Sequence, residues 1–379
     1  MNIFHLADTH VGFAAYRKTT REGVNQREQD TFDAFKQIID KAVEQKPDVV
    51  LHAGDLFDTI RPSNRSISFA LEQLHHLSKN NIPFVVIAGN HEQPRLKETG
   101  HIFKVFEHID NVYPVYKNSY EKITINTIHG MLAIHAVPQC SSNDVFEKEL
   151  EKIKLDKQAT FNIFMAHGSL KSIKELRMNE FNELFIPDSI FQKDFDYIAL
   201  GHYHKHTKIK KNAYYAGSSE RFTFSDAGDN KGFCMVTLGK ETKQQFIPLS
   251  IRPMLDIPPI LCDTKNTQEV MKEIISALEK IDHNNAVIRI QLKDIKQHVY
   301  RSFDFSEIRR YHQDAVHCEI VLSKSPSLHG SSRQTSSQIG TLVQEFNEFV
   351  DQHTSLKNKQ QIRELGMKYI QKNEGHESK

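Results

Sequence analysis

Five short runs of apolar, β-favouring residues each end in a cluster of aspartate, asparagine or histidine. That layout confines the chain to a layered α/β fold. The runs are NIFHLADTH, closing at residue 10; DVVLHAGDLFD, closing at 58; PFVVIAGNHE, closing at 92; FNIFMAHGS, closing at 169; and DYIALGHYHKH, closing at 206. Runs rich in valine, isoleucine and phenylalanine with a polar tip read as buried strands. Helical periodicity separates them. Phe32, Phe35, Ile39 and Val43 fall at three- and four-residue steps, and so do Ile67, Leu71, Leu74 and Leu77. Strand alternating with helix predicts parallel pairing, with ligands collected at the carboxyl ends of the strands. The five polar tips are therefore expected on one edge. Segments 120–140 and 213–250 hold shorter strands with turns and predict a second, antiparallel sheet.

Beyond this core, RPMLDIPP near residue 255 reads as a proline-punctuated crossing. A smaller α+β pattern follows. Val270, Ile274, Leu278 and Ile281 align on one helical face, and AVIRIQLKD and HCEIVLSK read as strands. The expected organisation is a core over 1–255, a small α+β domain over 256–324, a Ser-rich linker over 325–338 and a helical tail over 339–379. In the tail, Leu342, Phe346, Phe349 and Val350 share one face, and Ile362, Leu365 and Tyr369 share the next. A helix pair of that size cannot build its own core, so its apolar stripe wants a partner groove or the chain's own core.

Composition narrows the chemistry. Forty-nine basic residues against 48 acidic ones give a net charge of +1, so any nucleic-acid surface must be local. Candidates are Arg17, Lys18 and Arg21 after the first tip, Arg61 and Arg65 after the second, and Arg95 and Lys97 after the third. Such side chains serve either phosphate-backbone contact or plain solvation of a loop. The four cysteines form no CxxC pair, which points to a reducing compartment and leaves no thiolate zinc site. No run approaches the ~18 apolar residues of a membrane span. The opening MNIFHLADTH lacks the basic region of a signal peptide. A cytoplasmic chain without a membrane partner is expected.

A metal must then rest on histidine, of which there are 21, and carboxylate. The tips supply Asp8 and His10, Asp55 after Gly54, Asn90 and His91 after Gly89, His167, and His202 and His204 after Gly201. Mixed oxygen and imidazole ligands suit manganese, iron or zinc. Two such ions about 3.5–4 Å apart, sharing a carboxylate, can activate water and stabilise a phosphoryl displacement. Glycine beside each ligand lets backbone approach closely. Any single tip also fits an ordinary polar strand end; five in series point to metal. His5 and His52 lie inside apolar runs and read as core histidines bonded to backbone. His75 and His76 sit on a helix, half exposed, while His129 and His135 lack ligand spacing.

The series DxH, GD, GNH, H and GHxH resembles the calcineurin-like metallophosphoesterases, whose fold is a two-sheet sandwich flanked by helices. FHLADTHVG, HAGDLFD, IAGNHE, MAHGS and LGHYHKH resemble, more narrowly, the SbcD-type nucleases, relatives of the meiotic-recombination-eleven (MRE-eleven) nuclease, over about residues 1–250. The resemblance implies one manganese ion on Asp8, His10, Asp55 and His204. It implies a second on Asp55, Asn90, His167 and His202, with Asp55 bridging. His91 would not be a ligand; it would face the scissile phosphate and stabilise charge or protonate the leaving oxygen. His206 falls outside the pattern and is expected exposed, and Glu92 is expected to support the ligands rather than join them. Many relatives carry histidine three positions after the bridging aspartate, where this chain has Asp58.

The function so implied is a manganese-dependent exonuclease and endonuclease of DNA double-strand-break repair, acting on duplex ends, hairpins and single strands. The 256–324 domain would cap the DNA, and the tail would grip an SbcC-type ABC ATPase. A homodimer is also implied, with Phe69 and Leu74 as candidate contacts, although both equally suit packing onto the sheet. A phosphatase or small-substrate phosphodiesterase on the same core is the alternative. A DNA-binding scaffold with a dead site is a third reading, and the intact ligand set argues against it.

Overall fold

The computed structural model describes residues 1–94, 100–173 and 182–324, together with 360, 361, 363 and 365. Met1–Lys324 forms one compact unit and Ser325–Lys379 another. In the first unit, β1 (Asn2–Leu6), β2 (Val49–His52), β3 (Phe84–Ile87) and β4 (Val112–Val115) run parallel. The chain then builds a second sheet. It consists of β5 (Glu121–Thr127), β6 (Gly130–Val137) and β7 (Phe161–His167), then, past the short pair β8 (Ser169–Leu170) and β9 (Phe185–Ile186), β10 (Tyr197–Gly201), β11 (Thr207–Lys210) and β12 (Ala213–Tyr215). β13 (Gly232–Thr237) and β14 (Lys243–Pro248) return to the first sheet. The two six-stranded orders are β14-β13-β1-β2-β3-β4 and β11-β12-β10-β7-β6-β5.

The expected second sheet is present, but it is mixed rather than antiparallel. The segments expected in it are shared out: β5 pairs antiparallel with β6, which runs parallel to β7, and β13 pairs antiparallel with β1. The five motif strands are correspondingly split, β1, β2 and β3 in one sheet and β7 and β10 in the other. Local pattern reveals that a segment is a strand. It does not reveal which open edge the segment will extend.

Alternation on the strands explains the layers. Ile3, Leu51, Val85, Ile134, Met165 and Ala199 meet in the core between the sheets. Phe4, Leu6, Val50 and Val86 point outward, under α1 (Gln26–Gln45) and α2 (Asn64–Lys79). Phe164, Ile198 and Leu200 do the same on the second sheet, where Phe146 and Leu150 of α3 (Asn143–Glu151) cover them. With both faces buried, the central strands are mostly apolar along their length. The buried face of α2 differs from the expected one: Ala70, Leu74 and Leu77 are buried, whereas Ile67 and Leu71 are only half-buried. Leu74 is wholly enclosed, and Phe69 stacks on Phe32 with centroids 4.4 Å apart. The packing reading of these two residues holds, and Leu74 has no surface to offer a second copy.

RPMLDIPP is not a crossing but the start of β15 (Met254–Leu261), which pairs parallel with β16 (Val287–Lys293) and slips register between Ile257 and Ile260, at the two prolines. Proline removes ladder donors, and an edge strand tolerates that loss. β17 (His317–Ser323) completes this third sheet. Against it pack α4 (Thr267–Glu279), whose Val270, Ile274 and Leu278 are buried, and the short α5 (Gln297–Arg301) and α6 (Phe305–Arg310). Arg252 joins the third sheet's surroundings to the core. It grips Asp30 of α1 through Nε at 2.7 Å and Nη2 at 2.6 Å, and its Nη1 donates to the carbonyl of Asn285. Tyr16 stacks on His317 at 4.0 Å.

In the second unit Leu365 is exposed. The other tail candidates, Leu342, Phe346, Phe349, Val350, Ile362 and Tyr369, lie outside the described residues, as do Arg95 and Lys97. Among the described residues no helix is long and apolar enough to cross a membrane.

Candidate metal centre

Strand ends from both sheets deliver the candidate ligands to one place. Past Leu6 the chain stays paired with the end of β2: Asp8 N donates to Gly54 O at 3.0 Å, His10 N to Asp55 O at 3.1 Å and Val11 N to Leu56 O at 2.7 Å. This pairing holds Asp8, His10 and Asp55 side by side. It also forces them into left-handed backbone, with φ of 50°, 42° and 55°; His202 follows at 99°. Four non-glycine residues in that region cost about 1–3 kcal/mol each and persist only where the surroundings over-determine them. Two glycines make room. A Cβ on Gly89 would collide with the Asp55 carboxylate and backbone, and one on Gly54 would collide with the His167 ring.

The ligand atoms fall into overlapping groups. Asp8, His10 and His204 offer atoms within 4.8 Å of one another, as do Asp55, His167 and His202, and also His10, Asp55 and His91. His10 Nε2 lies 3.2 Å from His204 Nε2 and 3.9 Å from Asp55 Oδ2. Asp55 Oδ2 lies 3.2 Å from His167 Nε2. Asn90 Oδ1 sits 3.0 Å from His167 Nε2 and 3.2 Å from His202 Nδ1. Asp8, His10, Asp55, His167 and His202 are buried; Asn90, His91 and His204 are half-buried.

Outer partners orient the rings. His167 Nδ1 donates to the Ala53 carbonyl at 2.9 Å, which leaves its Nε2 lone pair to face Asp55 and Asn90. His202 Nε2 donates to Glu183 Oε1 at 3.1 Å, which leaves Nδ1 on the Asn90 side. His91 Nδ1 donates to the Asp58 carbonyl at 2.8 Å, and its backbone N–H donates to Asp55 Oδ1 at 3.0 Å. The Asp8 carboxylate accepts from His202 N at 2.9 and 3.0 Å.

The electrostatics fit a cation. Burial raises the Asp8 carboxyl above its ordinary range, with His167 opposing. Burial pushes Asp55 the same way, but His167, His91 and His10 overcome it and hold that carboxyl well below the usual value. Burial disfavours a charged His167, yet Asp55 and Asp8 raise it to about 9. The pocket thus demands positive charge beside its carboxylates. A divalent ion meets that demand and frees Nε2 of His167 as a ligand, so the donor set fits a dinuclear site of mixed oxygen and nitrogen ligands.

Other residues fall elsewhere. His206 is half-buried, not exposed: Nδ1 donates to the Tyr215 carbonyl at 3.0 Å and the ring stacks on Phe246 at 4.5 Å. His5 and His52 are core residues, and they also meet side chains, Tyr197 Oη and Thr9 Oγ1, each at 2.9 Å. His75 and His76 are exposed rather than half-exposed. Buried Glu92 accepts from Phe57 N at 2.8 Å and Gly89 N at 2.9 Å, bracing the loop after β2 against the loop after β3. Among the basic candidates, Arg17, Arg21 and Arg61 are exposed. Arg65 pairs with Glu28 at 3.0 Å. Lys18 donates to the Ala315 and Asp314 carbonyls at 3.0 and 3.4 Å, which tethers it to the turn before β17.

Sequence reasoning missed Glu183, which also accepts from the Ser169 hydroxyl, and Phe222, whose ring meets His10 at 4.7 Å and His204 at 5.3 Å. Neither stands in a motif; only the fold brings them to the site.

The family model described as calcineurin-like phosphoesterase matches residues 1–206. The chain is similar to proteins named DNA double-strand break repair protein Mre11. That of Methanococcus maripaludis is 31% identical over 245 residues, 61% of this chain and 60% of the relative, so this chain spans less than two thirds of its length. That of Sulfolobus acidocaldarius is 25% identical over 370 residues, covering 91% and 90%. That of Thermoplasma acidophilum is 30% identical over 298 residues, covering 74% and 73%.

Proposed function

This chain belongs to the calcineurin-like phosphoesterase family, in its Mre11-type branch, and we propose from that premise that it is a two-metal DNA nuclease of double-strand-break repair. The observation that carries the reading is Asp55, whose carboxylate stands 3.2 Å from His167 on one side and 3.9 Å from His10 on the other, between two groups of ligand atoms. In this reading Asp8, His10, Asp55 and His204 hold one ion, and Asp55, Asn90, His167 and His202 hold the other. Bound ions supply Lewis acidity toward the phosphate and an activated water. The expected metal is manganese.

The protein's own groups do the rest. His91 is half-buried and is held by the Asp58 carbonyl through Nδ1. From there it stabilises the developing charge or hands a proton to the leaving oxygen. Gly54 and Gly89 let the His167 ring and the Asp55 carboxylate pack closely against backbone. Exposed Arg17, Arg21 and Arg61 supply cationic contacts for a DNA backbone. Residues 339–372 are proposed to bind an SbcC-type ABC ATPase, and the chain to work as a homodimer in the cytoplasm; the relatives' names support the repair role. The alternative, a phosphatase or small-substrate phosphodiesterase, uses the same core.

His91→Ser should keep both ions and lose phosphodiester cleavage, whereas Asp55→Ala should lose both together. Calorimetric titration of manganese beside cleavage of labelled duplex and single-stranded DNA decides it. Full cleavage by the His91 variant would remove the assignment, and hydrolysis confined to small phosphate esters would favour the alternative.

A further inference from the structure

Lys231 is 2% exposed, at the threshold of β13. Its ammonium donates to Asp226 Oδ1 at 2.7 Å and to the backbone carbonyl of His204 at 2.8 Å. A buried ammonium is costly unless paired and hydrogen-bonded, so this one is committed to a specific geometry. The same carbonyl accepts from Ser218 N at 3.0 Å and Ser218 Oγ at 3.3 Å. Asp226 in turn accepts through Oδ2 from Phe222 N at 3.1 Å and Thr223 N at 3.0 Å. Phe222 places its ring against both His10 and His204. The contacts close a circuit: His204 carbonyl to Lys231, Lys231 to Asp226, Asp226 to Phe222, and Phe222 back to the His204 ring.

His204 needs such a hold. Asp8, His10 and Asp55 are fixed by continued pairing of their strand ends, and His167 is the last residue of β7. His204 lies three residues beyond β10, in neither strand nor helix. Its backbone is pinned from outside, by Lys231 and Ser218 on its carbonyl.

We propose that Lys231, paired with Asp226, is a positioning residue for His204. It pins the backbone from which that imidazole reaches its ion, and so sets the affinity of one metal position and not the other. The inference rests on the dinuclear reading given above. It concerns the ion held by Asp8, His10, Asp55 and His204.

The test uses the full chain with manganese as the probe. Lys231→Met keeps the aliphatic stem and removes the ammonium. The double variant Lys231→Met, Asp226→Asn removes both charges, so neither is left buried alone; it carries the test if the single variant unfolds in chelator. Calorimetric titration, with manganese paramagnetic resonance to count bound ions, should show two binding steps in the unaltered protein. In the variants one step should weaken about 10–100-fold, the usual effect of losing an outer partner of a ligand. The other step should be unchanged. Two unaltered steps, or two steps weakened in parallel, would overturn the proposal. Fewer than two ions in the unaltered protein would instead remove the dinuclear reading on which it stands.

Discussion

The carbonyl oxygen of Asp58 accepts a hydrogen bond from Nδ1 of His91 at 2.8 Å. The bond keeps a proton on Nδ1 and fixes the ring. The same residue's carboxylate lies 3.4 Å from Nδ1 of His10, at ion-pair distance. Asp58 therefore faces one candidate ligand with its side chain and holds the candidate acid with its backbone. This is what stands at the position where many relatives carry histidine.

Asp58→Ala separates those roles, because it deletes the carboxylate and keeps the carbonyl. Manganese affinity should fall about 10–100-fold while cleavage recovers at saturating metal. Metal titration compared with kcat at saturation checks this. A lost kcat with unchanged metal affinity would show that the carboxylate works on the substrate instead.

Gly89→Ala should be far more damaging than its size suggests. The added methyl would press on both the carboxylate and the backbone nitrogen of Asp55. We expect a folded chain whose manganese affinity drops by at least about tenfold, the scale of a disturbed ligand shell. Gly228→Ala, where a Cβ meets nothing within 4 Å, is the control and should be silent. Circular dichroism with calorimetry compares them.

Ions bound only by the folded state must stabilise it. At a free manganese concentration a hundredfold above Kd, each independent site adds about 2.7 kcal/mol. The thermal midpoint should rise with manganese and fall back with chelator. In Asp55→Ala it should not respond to metal, and a shift equal to that of the unaltered protein would contradict the bridging role.

His5 gives the protein a predictable acid weakness. Burial, followed by the nearby His206, lowers its pKa to about 3 from the 6.5 of an exposed imidazole. Between those values the unfolded chain binds a proton that the folded chain refuses. Stability from this group is therefore intact above pH 6.5 and is lost as pH falls toward 3. His5→Gln, which still offers a polar partner to Tyr197, should flatten the pH dependence of unfolding by up to about 1.4 kcal/mol per pH unit below pH 6. Denaturant titrations in chelator at pH 7 and pH 5 decide it, and equal slopes in both proteins would exclude His5 as the cause.

The parts of this protein legible in sequence are those governed by neighbours along the chain. A strand buried on both faces is mostly apolar, so β1, β2, β3, β7 and β10 announce themselves. A candidate ligand at a strand end sits within a few residues of that strand, so Asp8, Asp55, Asn90, His167 and His202 are visible in their motifs. Tertiary structure decided the rest. Only folding assigned β13 and β14 to the sheet of β1, because antiparallel segments join whichever edge is open. Only folding turned the Leu74 face of α2 inward, gave Lys18 to the carbonyls of residues 314 and 315, and set Glu183, Phe222 and Lys231 around the histidines. These residues act by direct contact across 18 to 297 positions of chain. Such contacts depend on how sheets and loops pack in space, and residue order alone does not encode their distances.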